Sequence, residues 1–308
     1  MRMKLIHTEL AFKFLEEIAK DPSTPDKVIR EFLVYYLTSS GYIRAPFNMV
    51  FDRLIRGRAI TRDTIEDACY EFRDVTRLSY PPVGSNPPAS RCNPLGRSVF
   101  YCSIDIGVPI FEVRAELGQY VALTLFKHKT QDKISIKLPI IGVEHIHDNL
   151  LLRDPNNPMV KILEEDIFYK TNGDINTIEL DRRLSEWFSQ PVNDVNKYIY
   201  RLTNAVYEMY IRHATHGNNE RVKGLIYPSI ESESTGYNIF LETDLVDDIL
   251  EVESSTIFKV ESKVEKKYAL SQKKQIDYQW VDGKIEWEDF VWHLEPNSPS
   301  FTYGGTAY

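Results

Sequence analysis

The sequence predicts an α+β protein, a mixed β-sheet core with helices preceded by a helical N-terminal unit. Three observations carry that prediction. Apolar residues recur at helical spacing through most of residues 1–72, short β-like runs alternate with helical stretches from Ser98 onward, and an Asp282-Gly283 pair near the end joins two strand-like runs. The expected organisation is a helical unit over 1–72, a second domain over 73–295 that includes the C-terminal hairpin, and a loose tail over 296–308.

The elements follow in order. Residues 8–20 place Leu10, Phe12, Phe14, Leu15 and Ile18 close to one helical face, and Asp21-Pro22 stops them. Ser23-Thr24-Pro25-Asp26 reads as a helix start with Thr24 as cap and proline in the first turn. Val28, Phe32, Val34, Tyr35 and Leu37 supply the face, and Gly41 the stop. A third helix is expected over 45–56, and a fourth from Asp63, with Glu66 completing a capping box, to about Phe72. The Pro-, Ser- and Gly-rich stretch 78–90 must be a loop. Residues 98–103, 121–126 and 134–141 read as strands, with a short helix over 107–117. Helices follow at 179–190 and 194–214, the second marked by Val195, Ile199, Leu202, Val206, Met209 and Tyr210. Strands return at 224–230 and 238–241, the acidic run 244–253 reads as a short amphipathic helix, and a hairpin over 276–280 and 284–287 turns through Asp282-Gly283.

Composition narrows the function classes. The chain of 308 residues has 37 Lys+Arg against 45 Asp+Glu, a net charge of −8, which argues against a sequence-independent nucleic-acid binder. Tyr 18 and Phe 15 leave a local aromatic site open. No stretch reaches the roughly 18 apolar residues of a membrane span, and Glu9, Lys13 and Glu16-Glu17 interrupt any signal-peptide core. Three cysteines (Cys69, Cys92, Cys102) with no CxxC argue against a disulfide framework or zinc site and fit a reducing cytoplasm.

Most chemical motifs fail. GxGxxG, GxxxxGK[ST] and HExxH do not occur. Glu144-His145-Ile-His147-Asp148 holds ligand types, but two His at i and i+2 share a face only on a strand, so a solvated loop is expected and no metal is called for. Arg212-His213 and His216 suit the negative end of a helix. The stretch from Arg77 to Glu112 is different. Arg77 and Arg91 stand near proline- and glycine-shaped loops and suit an anionic ligand such as a diphosphate, because the guanidinium fork matches phosphate oxygens. Tyr101 ends an apolar strand, and Glu112 lies among Val108, Ile110, Phe111 and Val113, a setting that raises a carboxyl pKa. Taken singly, each also reads as a surface arginine, a core tyrosine or a glutamate at a helix end.

The order Arg77, then Arg91-Cys-Asn93-Pro94-Leu-Gly96, then Phe100-Tyr101, then Glu112, then Gly224-Leu-Ile-Tyr227-Pro228-Ser229 and Asn238-Ile-Phe-Leu241 resembles the RES-domain family over about residues 73–255. The resemblance implies an ADP-ribosyltransferase-like fold and a toxin that consumes NAD by hydrolysis or phosphorolysis, paired with a helix-turn-helix antitoxin. It implies that Glu112, Arg91, Tyr101 and Ser229 are catalytic and that Arg77, Arg91, Tyr101 and Asn238 bind substrate, with Arg73 as an alternative to Arg77. NAD is then a substrate, inorganic phosphate a possible co-substrate, and neither a cofactor nor a metal is needed. Within that chemistry Glu112 stabilises the oxocarbenium-like ribose or orients the attacking group, the arginines hold the diphosphate, Tyr101 stacks on nicotinamide and Ser229 hydrogen-bonds the ribose or the glutamate. Two other readings stay open: an ADP-ribosyltransferase modifying a protein or nucleic acid, and a non-enzymatic interaction module. Ile110 stands where such transferases often carry a second Glu or Gln, which leans towards NAD consumption. The sequence leaves a homo-oligomer possible.

Overall fold

The computed structural model describes residues 2–40, 42, 46–60, 62–82, 84–130, 135–169, 175–213, 222–229, 236–264, 267–276 and 283–289. Among them the chain is a mixed α+β protein with several antiparallel sheets. In chain order the elements are α1 (Arg2–Lys20), α2 (Asp26–Ser39), β1 (Phe47–Met49), β2 (Leu54–Ile60), α3 (Ile65–Glu71) and a 3-10 turn at Val75–Leu78. They continue with β3 (Phe100–Cys102), α4 (Gly107–Glu112), β4 (Tyr120–His128), β5 (Ile136–Leu138), α5 (Val143–Arg153), α6 (Pro158–Tyr169), α7 (Ile175–Ser189) and α8 (Tyr198–His213). Last come β6 (Gly224–Pro228), β7 (Tyr237–Leu241), α9 (Thr243–Ile249), β8 (Leu250–Val264), β9 (Lys267–Ile276) and β10 (Trp287–Asp289).

The chain forms two compact units, each assembled from three separate stretches. Unit 1 comprises Met1–Val50, Val83–Phe100 and Ser135–Leu245, and unit 2 comprises Phe51–Pro82, Tyr101–Ile134 and Val246–Tyr308.

In unit 1, helices α1, α2, α7 and α8 bury Phe12 and Leu15, Ile29, Leu33 and Leu37, Leu184 and Trp187, and Ile199, Leu202 and Val206. The i, i+4 spacing of the α2 residues puts them on a single stripe, the condition for helix-on-helix packing. Arg201 of α8 ties down the α1–α2 turn, donating to the carbonyls of Ala19 (2.7 Å) and Asp21 (2.8 Å) and pairing with Asp26 (2.6 Å). These carbonyls lie at a helix end that lacks intrahelical donors. β6 and β7 are buried along their whole length, so they read as continuous apolar runs rather than alternating ones. They pair antiparallel with Tyr227 opposite Asn238, and β3, which begins with Phe100, completes a three-stranded sheet in the order β3-β7-β6.

Unit 2 is a five-stranded antiparallel sheet in the order β10-β9-β8-β4-β2. Val121 and Leu123 of β4, Val260 of β8 and Ala115 form its buried cluster, against which Ile110 and Val113 pack. Thr124 and Ser255, directly opposite across β4 and β8, share a buried hydroxyl hydrogen bond of 2.8 Å.

Several expectations are corrected. Residues 45–56 hold strands, not a helix: Phe47 and Met49 are buried around an exposed Asn48 and pair with Leu138 and Ile136, and Leu54–Ile60 pairs with β4 along its length. Cross-strand pairing overrides a short apolar pattern that also fits a helical turn. The segment with His145 and His147 is α5, not a loop, because Gly142 at its N-terminus takes a left-handed φ of +74° and Asp181 of α7 accepts from Gly142 N (3.1 Å) and Val143 N (2.8 Å). The third N-terminal helix starts one residue later than its capping box predicts. Thr64 is the cap, accepting from Asp67 N at 3.1 Å. The cap of α2 is Pro25 without a side-chain bond, since Thr24 Oγ1 donates instead to Asp21 at 3.2 Å. Gly41, Asp282 and the tail over 296–308 lie outside the described residues.

Candidate functional site

In unit 1 the Arg91–Gly96 motif is a closed loop held by its own polar groups. Ser90 N donates to Asn93 O (2.9 Å), the buried Asn93 side chain donates to Pro88 O (2.9 Å), and Gly96 N reaches Pro87 O (2.9 Å) with Gly96 at φ +81°. That positive φ explains the glycine, and the self-contained hydrogen bonding explains the asparagine. Asn204 of α8 donates to Ser90 O at 2.8 Å and anchors the loop. Arg91 leaves it towards the end of α7, where Nη1 donates to Trp187 O (2.9 Å) and Nη2 to Gln190 O (2.5 Å). The guanidinium therefore closes helix carbonyls that have no intrahelical partner, and two of its five N–H groups are used in doing so.

The same turn of α7 reaches the β6–β7 hairpin. Phe188 packs on Tyr227 with ring centroids 5.2 Å apart. Tyr227 lies opposite Asn238, and Ser229 N continues the ladder by donating to Gly236 O at 3.0 Å. Opposed residues and residues two apart share a face of a strand pair, so Tyr227, Ser229 and Asn238 project to one side. Ser229 and Asn238 are buried polar side chains. Unit 1 thus brings Arg91 to the C-terminal turn of α7, where Phe188 also meets Tyr227, the cross-strand partner of Asn238. Elsewhere in unit 1, Arg97 Nη2 meets both Glu242 oxygens at 2.7 Å, Tyr207 also hydrogen-bonds Glu242, and burial together with that carboxylate pushes the Tyr207 hydroxyl well up.

Tyr101, Glu112 and Arg77 are in unit 2. Tyr101 is half-buried in β3, and its carbonyl accepts from Arg56 Nη1 at 2.8 Å. Burial pulls the Arg56 guanidinium down to about 10. Glu112 is the last residue of α4, a helix whose start is set by Asp105 accepting from Gly107 N at 2.8 Å. The apolar neighbours of Glu112 are spent on the sheet. Ile110 and Val113 pack on the Val121–Val260 cluster and Phe111 meets Tyr268 edge-on at 5.6 Å, which leaves Glu112 half-buried beside them. α4 lies so close to β2 that a Cβ on Gly57 would stand 2.7 Å from Pro109 O. Side chains alternate along a strand, so Arg58 leaves β2 on the face opposite α4, and there its guanidinium donates to Arg77 O. Arg77 and Glu112 therefore approach β2 from opposite faces.

Among the described residues no group of three or more His, Cys, Asp or Glu is placed to hold a metal ion. His147 instead contacts Asp148 (3.1 Å) and Glu164 (3.6 Å). No described helix is long and apolar enough to cross a membrane. The sequence reading passed over Arg62 and Tyr70, which line a cavity with Arg73 and Arg77. Their only sequence signal is a density of arginine around a short helix. No family model matches the chain, and no curated protein matches its sequence.

Proposed function

We propose that the chain is an NAD-degrading enzyme that cleaves the nicotinamide–ribose bond on an ADP-ribosyltransferase-like core. The observation that supports the reading is that Arg91, which leads the loop of the RES-domain resemblance, reaches the C-terminal turn of α7, against which Tyr227 of the later Tyr-Pro-Ser motif also packs through Phe188. Arg91 retains three N–H groups beyond those bound to Trp187 and Gln190, enough for bidentate contact with a diphosphate. Ser229 and Asn238 follow Arg91 in the order of that resemblance and are buried polar side chains of the β6–β7 hairpin.

In the reaction the C1–N bond of the nicotinamide riboside breaks, and nicotinamide leaves with the bonding pair as a neutral molecule. Water adds to C1 and loses a proton, or phosphate adds in its place, giving ADP-ribose or its 1-phosphate. By the RES-domain resemblance, Glu112 has the role of stabilising the cationic ribose and taking the proton from water, and Tyr101 that of receiving the cationic nicotinamide. The test is nicotinamide release from NAD by the purified full chain, with and without phosphate. The wild type releases nicotinamide, and Glu112→Ala slows release by about 100-fold or more. A phosphate requirement assigns phosphorolysis. A wild type that releases no nicotinamide under either condition overturns the reading.

A further inference from the structure

Arg62, Tyr70, Glu71, Arg73, Asp74 and Arg77 line a cavity of about 300 Å³ in unit 2. Its walls are well fixed. α3 contributes Tyr70 and Glu71, the 3-10 turn contributes Arg77, and the strand-like stretch between them is pinned by Val75 N to Gly283 O (3.1 Å) and Ile285 N to Arg73 O (2.7 Å).

The carboxylates of this cavity are already engaged. Glu71 accepts from Arg62 Nε at 2.9 Å, and Asp74 Oδ1 accepts from Thr76 N (2.9 Å) and Thr76 Oγ1 (2.7 Å), so it serves the turn. The Arg73 guanidinium stands over Tyr70, 4.2 Å from the ring centroid, a contact that does not neutralise its charge. Behind the wall stands a fourth arginine. Arg58 donates to Arg77 O and rests 5.3 Å over the Phe72 ring, and burial lowers its pKa against the opposing pull of Glu71, with Arg77 adding a smaller push in the same direction as burial. Four guanidinium groups are thus gathered against two occupied carboxylates in a chain whose net charge is −8. That leaves a local excess of positive charge, which favours a bound dianion.

We propose that this cavity is a binding site for a small phosphomonoester, with the phosphate held by Arg73 and Arg77 and the body of the ligand against the exposed Tyr70 side of the cleft. Planar forks suit phosphate oxygens. The volume sits at the small end of ligand pockets and exceeds what a bare phosphate ion fills, so a body of sugar size fits. The site is separate from Glu112, whose helix covers the other face of β2, and it does not depend on the NAD reading.

Isothermal titration of the full chain with glucose 6-phosphate tests the proposal, with glucose as the uncharged control. Glucose 6-phosphate binds the wild type, with affinity falling as salt is raised, and glucose does not. Arg73→Gln and Arg77→Gln each weaken binding about tenfold or more, while Glu112→Ala leaves it unchanged. Arg73→Lys, which keeps the charge but loses the fork, is intermediate. Circular dichroism checks that each variant is folded, and Arg73→Gln carries the test if Arg77→Gln is not. Absence of binding to the wild type overturns the proposal, as does binding that survives Arg73→Gln or falls with Glu112→Ala.

Discussion

Asp181 offers the sharpest stability test in the molecule. Its side chain is 2% exposed, and its two oxygens accept three hydrogen bonds, from Tyr42 OH (2.9 Å), Gly142 N (3.1 Å) and Val143 N (2.8 Å). Asp181→Ala strands all three donors. Each buried donor left without an acceptor costs roughly 1–3 kcal/mol, and after local relaxation the expected loss is about 3–5 kcal/mol. That is a large share of the ~5–15 kcal/mol that holds a typical domain folded. Asp181→Asn is milder. Its carbonyl can keep the Oδ1 position, which serves Tyr42 and Gly142, while its NH₂ faces the Val143 N–H, so one bond is lost at about 1–2 kcal/mol. Tyr42→Phe removes a donor rather than the acceptor and is milder still. Urea denaturation followed by far-UV circular dichroism ranks the three variants. A loss below 1 kcal/mol for Asp181→Ala, or an Asn variant as damaged as the Ala variant, refutes the claim that this carboxylate organises the start of α5.

Three further outcomes are expected. Gly57→Ala drives a Cβ to within 2.7 Å of the Pro109 carbonyl oxygen, a backbone atom that cannot rotate away, so α4 must shift; a loss of roughly 1–3 kcal/mol in urea denaturation checks it. His145 is held below its ordinary value of 6.5 by burial, against the opposing pull of Asp148. The unfolded chain therefore binds the proton first as pH falls, and stability drops as the pH is lowered below about 6.5. His145→Gln flattens that part of the stability–pH curve, and an unchanged slope refutes the assignment. Burial pushes the thiols of Cys92 and Cys102 up, whereas Cys69 is half-buried, so a thiol reagent at pH 8 titrates one cysteine rapidly in the native chain and all three after denaturation. Rapid loss of two or three native thiols contradicts this.

Some helices were legible. α2 and α8 carry apolar stripes within their own residues, although Val195 lies before α8 and is exposed, and α3 was misplaced by a single position because two candidate caps, Asp63 and Thr64, stand side by side; α5 and α6 were not read as helices. The strands were harder. β1 and β2 are defined by partners at 136–138 and 120–126, and neither partner is visible in residues 45–60 themselves. The start of α5 was hidden for the same reason, since its stabilising carboxylate belongs to residue 181. Around the candidate site, the Arg91–Gly96 loop was legible as a loop because glycine, proline and asparagine announce their backbone needs. The destination of Arg91 on the α7 carbonyls was not. Glu112 shows the limit most clearly, because apolar neighbours in sequence suggested an enclosed carboxyl, whereas in the fold they face the sheet and leave the carboxylate half-buried.

By itself, then, the amino-acid order determined what depends on hydrogen bonds and sterics within a few residues: the helical stripes, the turn chemistry of the loops, and an α+β composition carrying a net charge of −8. Tertiary structure alone decided which short apolar runs became strands, which face of β2 carries α4, and that Arg62, Arg73 and Arg77 share one cavity. Strand pairing and cavity lining join groups tens to hundreds of residues apart, and no local spacing in the chain encodes which of those groups will meet.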